Sequence, residues 1–116
     1  LLNRRIKMLK HIEEEHFVPE VIATSQPVLL ASLGEGNYQR KQMLLLAKLA
    51  SIAGGRFKLL LMKSEEEGLL KEKYGIKTAP AFLLFSEGRI RGRHVGGFTF
   101  SQLKGFVLKA MSKKVH

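Results

Sequence analysis

Cysteine is absent from all 116 residues. That excludes disulfide staples, thiol catalysis and thiolate metal sites on this chain. It says little about compartment, because a chain without thiols is indifferent to redox poise. Tryptophan is absent too, and proline occurs only at Pro19, Pro27 and Pro80. Long apolar runs are also missing. The longest lie around Met43–Ala47 and Ala79–Phe85, far below the ~20 residues that a helix needs to span a bilayer. Arg4, Arg5 and Lys7 precede no apolar core of the signal-peptide kind, so no secretory signal is expected and a cytoplasmic location is favoured. The chain opens on Leu1 and is read as one domain over 1–116, which can belong to a longer chain.

What is present is basic charge. Twenty Lys plus Arg against ten acids give a net charge of +10, which attracts polyanions and anionic surfaces at long range. The cations gather at Arg4–Lys10, at Arg89-Arg91-Arg93-His94 and at Lys104–Lys114, and the acids at Glu13–Glu15 and Glu65–Glu67. Solvated faces and edge protection account for these groups. No aromatic residues interleave with Arg91 and Arg93 to stack on bases, so nucleic acid is not the expected partner.

Taken in order, residues 6–12 alternate roughly as an edge strand, and Phe17, Val18, Val21 and Ile22 have the spacing of a short helix over about 17–24. Val28–Ala31 has no polar alternation and reads as a strand buried on both faces. Gln39–Ala53 reads as a long helix that is apolar on nearly every side, closed by Gly54-Gly55. Phe57–Met62 is a second buried strand, parallel to the first because a crossover helix joins them. A helix over 66–74 ends at Gly75. Pro80 has no N–H for a ladder and so opens the strand to Phe85. Glu87-Gly88 then turns the chain into a return strand, Arg89–Val95. Thr99 or Ser101 caps a last helix, whose Leu103, Phe106, Val107, Ala110 and Met111 form one stripe. The expected fold class is α/β, one mixed sheet with a parallel first half, an antiparallel hairpin as its second half, and helices on both faces.

The stretch Tyr74-Gly75-Ile76-Lys77-Thr78-Ala79-Pro80 followed by Ala81–Phe85 and a turn ending in Gly88 resembles the second half of thioredoxin. Pro27–Leu30 is similar to the family's first buried strand, and Gly96 to the glycine lining its substrate groove. The resemblance covers about Leu9 to Met111. It implies a thioredoxin-like fold with a cis Ala79–Pro80 peptide. On this alignment the two catalytic cysteines fall on Gly36 and Gln39, the preceding tryptophan on Glu35, the buried acid on Leu30 and the helix-kinking proline on Leu44. Thiol–disulfide exchange needs a thiolate, and no residue here supplies one.

The resemblance therefore implies a member without the catalytic pair, holding a protein or extended peptide in a groove of Gly36, Asn37, Tyr38 and Gln39 with Ala79, Pro80, Gly96 and Gly97. Arg93 and His94, next to Gly96 in sequence, favour an acidic segment. A chaperone or assembly role fits such a groove. Two alternatives stand beside it: a superfamily enzyme that borrows a thiol from a partner or substrate, and a basic module on an anionic surface. No cofactor is expected. His11, His16, His94 and His116 lack a second ligand at helical or hairpin spacing, so no metal site is expected either. No glycine spacing matches a phosphate-binding loop, and no serine sits in a nucleophile elbow.

Overall fold

The computed structural model describes residues 9–34, 37–62 and 68–112, without the side chains of Asn37, Tyr38 and Ser112. Five strands form one mixed sheet: β1 (Lys10–Ile12), β2 (Val28–Ser32), β3 (Lys58–Met62), β4 (Ala81–Ser86) and β5 (Arg89–Val95), in the order β1-β3-β2-β4-β5. β1 and β2 each pair parallel with β3, while β4 pairs antiparallel with both β2 and β5. Three helices complete the chain: α1 (Asn37–Ala53), α2 (Gly68–Tyr74) and α3 (Phe100–Ser112). The mixed sheet and the expected antiparallel hairpin are thus both present.

Every residue of β2 and β4 is buried, as expected of central strands whose two faces are both covered. Alternation along them divides the core into two clusters. Leu29, Ala31, Phe82 and Leu84 face α1 and α3, meeting Leu46, Leu49, Leu103 and Val107. Val28, Leu30, Leu83 and Phe85 face the other way, meeting Val21, Leu69 and Leu70. Each such Val, Leu or Phe side chain, fully buried, contributes about 1.5–3 kcal/mol.

The expected short helix over 17–24 is present as one wide π turn at Val18–Ile22, preceded by a 3₁₀ turn at Glu14–His16. Phe17 and Val21 need only one turn to reach the core, and the Ala23 N–H donates to the Val18 carbonyl at 2.8 Å, five residues back. Glu20 fixes this turn to the sheet: Lys10 and Lys58 approach its carboxylate at 3.2 and 3.1 Å. Hydrogen bonding from Lys58, then from Lys10, holds that carboxyl below its ordinary pKa. β1 begins at Lys10; residues 6–8 of the expected strand lie outside the described ones, as do residues 66 and 67 of the expected helix over 66–74. α1 is not crowded on every side, since Ile52 keeps 50% of its surface exposed.

Two glycines set how closely elements approach. Glu87 and Gly88 both have positive φ, 55° and 77°, the conformation that lets a two-residue turn follow the twist of a hairpin. At Gly92 a Cβ would meet Ala110 Cβ at 3.0 Å and the Phe106 ring at 3.1 Å, so α3 lies directly on the backbone of the edge strand. Charge is divided between the layers. Among the described residues, α1 and α3 carry Arg40, Lys41, Lys48, Lys104 and Lys109 and no acid, while Glu13, Glu14, Glu15, Glu20 and Glu72 lie on the opposite layer, together with Lys71 and Lys73 of α2.

Candidate functional site

Three segments distant in sequence converge at one end of the sheet. The loop after β2 brings Gly34 against Ala79, where a Cβ on Gly34 would lie 3.0 Å from that of Ala79. Gln39, in the first turn of α1, donates from Nε2 to the Gly34 carbonyl at 2.6 Å and pins the loop there. The Ala79–Pro80 peptide is cis, as the sequence resemblance implied. From the third segment, the Gly96 N–H donates to the Pro80 carbonyl at 2.7 Å. Gly96 has φ of 107°, a conformation that side-chain-bearing residues rarely adopt. Gly97 follows, half-buried.

Of the residues expected at the site, Gln39, Ala79, Pro80, Gly96 and Gly97 are therefore brought to one place. Asn37 and Tyr38 supply the first two residues of α1, and Gly36 lies outside the described residues. Ala79 is exposed, whereas Pro80 beside it is buried. Among the described residues neither the N–H nor the C=O of Ala79 has a hydrogen-bond partner.

Of the two basic residues expected beside this groove, His94 borders it and Arg93 does not. The Arg93 guanidinium donates to the Tyr74 carbonyl at 2.8 Å, at the end of α2. The His94 ring stacks on Phe98, with centroids 3.8 Å apart, lies among Phe82 and Phe106, and sets Nε2 3.4 Å from the Gly97 carbonyl. Alternation along β5 explains the separation, since adjacent residues of a strand point to opposite faces. Two lysines also border Ala79. A cleft of about 220 Å³ beside it is lined by Ser32, Lys71, Ile76, Lys77 and Thr78.

One positioning residue escapes sequence reading. Gln42 is only 3% exposed and clasps the backbone of Phe98: the Phe98 N–H donates to Oε1 at 3.1 Å, and Nε2 donates to the Phe98 carbonyl at 3.2 Å. It ties the chain just after Gly96-Gly97 to α1. The signal was its place one turn before Leu46, on the stripe that continues through Leu49 and Ala53. A polar residue on a buried stripe implies a buried partner.

A second grouping also went unread. Glu13, Glu15 and His16 each bring one ligand atom within 4.8 Å of the others at the 3₁₀ turn, although the Glu13 N–H donates to His16 Nδ1 at 3.3 Å. Spacing alone missed it because a 3₁₀ turn, not a helix, sets the geometry. Among the described residues no helix is long and apolar enough to cross a membrane. No protein-family model and no curated protein matches the chain.

Proposed function

We propose that this chain is a redox-inactive thioredoxin-like domain that holds an extended segment of a protein partner beside Ala79. The observation that carries this reading is the exposed Ala79 peptide unit, with neither its N–H nor its C=O paired among the described residues, at the meeting point of Gly34, Pro80 and Gly96. An extended peptide laid along it would add backbone hydrogen bonds in the manner of an extra strand. Support for the fold comes from the sheet, parallel in its first half and closed by an antiparallel hairpin, and from the loop–helix junction facing the Ala79–Pro80 peptide. Without a thiol the capture is reversible, and its strength rests on backbone bonds and on the neighbouring cleft.

The test is to select extended peptides against the intact chain, then map the bound peptide by amide shifts. Perturbation centred on Ala79 and Gln39, lost in Ala79→Trp, is the expected result. Ala79 is exposed, so the larger side chain can lie in solvent. A bulky residue at Gly96 is the poorer probe, because its positive φ would strain any side chain. A folded Ala79→Trp variant that binds the selected peptide unchanged would sink the proposal.

A further inference from the structure

At the opposite end of α1 from Ala79, a second groove runs between α1 and α3. We propose that it is a docking site for an acidic amphipathic helix of a partner protein. Its floor is Leu49 and Val107, both buried, with Phe57 and Met111 half-buried at its end. Ile52 and Leu108 form its two rims, 50% and 65% exposed. Exposed apolar residues scattered singly need no explanation. Two facing each other across an apolar trough of about 130 Å³ do.

Charge identifies the occupant. Lys48 of α1 and Lys104 of α3 hold their ammonium groups 4.3 and 6.0 Å from the centroid of one ring, Phe100. At the other end Arg56 donates to the Ala53 and Ile52 carbonyls and sets its guanidinium at the end of α1. The apolar trough thus has cations at both ends, and neither helix beside it contains an acid. A ligand that fits must carry apolar side chains inward and carboxylates at its ends.

A second copy does not meet that description. Placing trough on trough would bring two acid-free faces of a +10 chain together. A flat bilayer surface offers no ridge to enter a cleft between helices, whereas the ridge of a third helix does. Phe100 to Leu108 is two turns, about 12 Å. A matching segment therefore spans two to three turns, with apolar residues at i, i+3 or i+4, and i+7, as helix-in-groove recognition requires.

The experiment uses the intact chain and a labelled, helix-stapled peptide with leucines at those positions and glutamates flanking them. A twin peptide has lysines in place of the glutamates. Fluorescence anisotropy should show saturable binding of the acidic peptide, weakened by salt, with amide shifts centred on Ile52, Phe100 and Leu108. Leu108→Glu and Ile52→Glu should each reduce affinity at least about tenfold. Both positions are exposed, so circular dichroism should be unchanged. Lys104→Glu should favour the lysine twin over the acidic peptide. The proposal is overturned by any of four results: no binding at millimolar peptide, equal binding of both twins, retention of the acidic peptide by Leu108→Glu, or shifts that map elsewhere. It is equally overturned if the acidic peptide fails while phosphatidylserine vesicles bind through Leu108, which indicates a lipid surface. A concentration-dependent dimer abolished by Leu108→Glu, again without peptide binding, indicates self-association and overturns it too.

Discussion

Replacing Gln42 by leucine should destabilise the chain by about 2–4 kcal/mol, although the new side chain is apolar and of similar size. The side chain is 3% exposed and satisfies both backbone groups of Phe98, at 3.1 and 3.2 Å. Leucine leaves that N–H and that C=O without a partner beside α1. A buried backbone group stripped of its bond costs roughly 1–3 kcal/mol, and two are stripped together; the added apolar burial offsets only part of this. In urea titration the midpoint should fall with an unchanged slope, and Tm should drop by about 10 °C. Hydrogen exchange at the Phe98 amide should accelerate more than exchange in β2 or β4. The companion variant Gln42→Glu is diagnostic. As a carboxylate it still accepts from the Phe98 N–H but opposes the Phe98 carbonyl, while as a neutral acid it can donate to that carbonyl as the amide does. Burial raises its folded-state pKa, so its stability relative to the parent should be best at low pH and fall as pH rises through that value. A leucine variant as stable as the parent, or a glutamate variant indifferent to pH, would refute the clasp.

Other outcomes follow from the same packing. Gly92→Val should cost about 1–3 kcal/mol, because its first carbon would lie 3.0 Å from Ala110 and 3.1 Å from Phe106; equilibrium unfolding reads this, and an unchanged midpoint would contradict the close approach of α3. Glu20 has a depressed pKa, so the stability it adds is present above 4.5 and is lost as pH falls through its folded value. Glu20→Gln should therefore flatten the acid limb of the stability profile, and a parallel limb would show that the two lysines do nothing for folding. Insulin-disulfide reduction should stay at background with any electron donor, since the chain has no thiol; turnover by the purified chain would disprove it.

Much of the fold was legible because its cues are local and agree with one another. β2 and β4 announce themselves as unbroken apolar runs, and the hairpin by Glu87-Gly88. The choice between caps on the last helix was left open by sequence and is settled by contact: Thr99 Oγ1 accepts from the Gln102 N–H at 3.2 Å while the Thr99 N–H donates to Gln102 Oε1. The helix around Val18–Ile22 was legible in place but not in kind, because apolar spacing of i, i+4 serves one wide π turn as well as a regular helix. The contact that ties this turn to the sheet is long-range and so not legible locally: Lys58, 38 residues away, pairs with Glu20. For the candidate site, the small residues at 79 and 96 were visible, but only part of the charge near them was. Proximity in sequence puts Arg93 and His94 together beside Gly96, whereas the pleat sends them to opposite faces and leaves only His94 at the groove, against the Gly97 carbonyl. The apolar trough was invisible for a similar reason, since half of it comes from each of two helices that sequence treats separately.

The division of charge between the two layers has a consequence for how the molecule travels. In a body measuring 38 × 30 × 22 Å, the described residues put five cations and no acid on the helices of one layer and five glutamates beside Lys71 and Lys73 on the other, and together they contribute an electric moment across the sheet. Near an acidic partner that moment exerts a torque as well as a pull. The torque acts within about one Debye length, ~8 Å at physiological ionic strength, which is the last stage of approach. Rotation in that interval turns α1 and α3 toward the negative surface before any side chain touches. Encounters are thereby filtered by orientation, and added salt should slow association by removing the filter even where the final contacts stay intact.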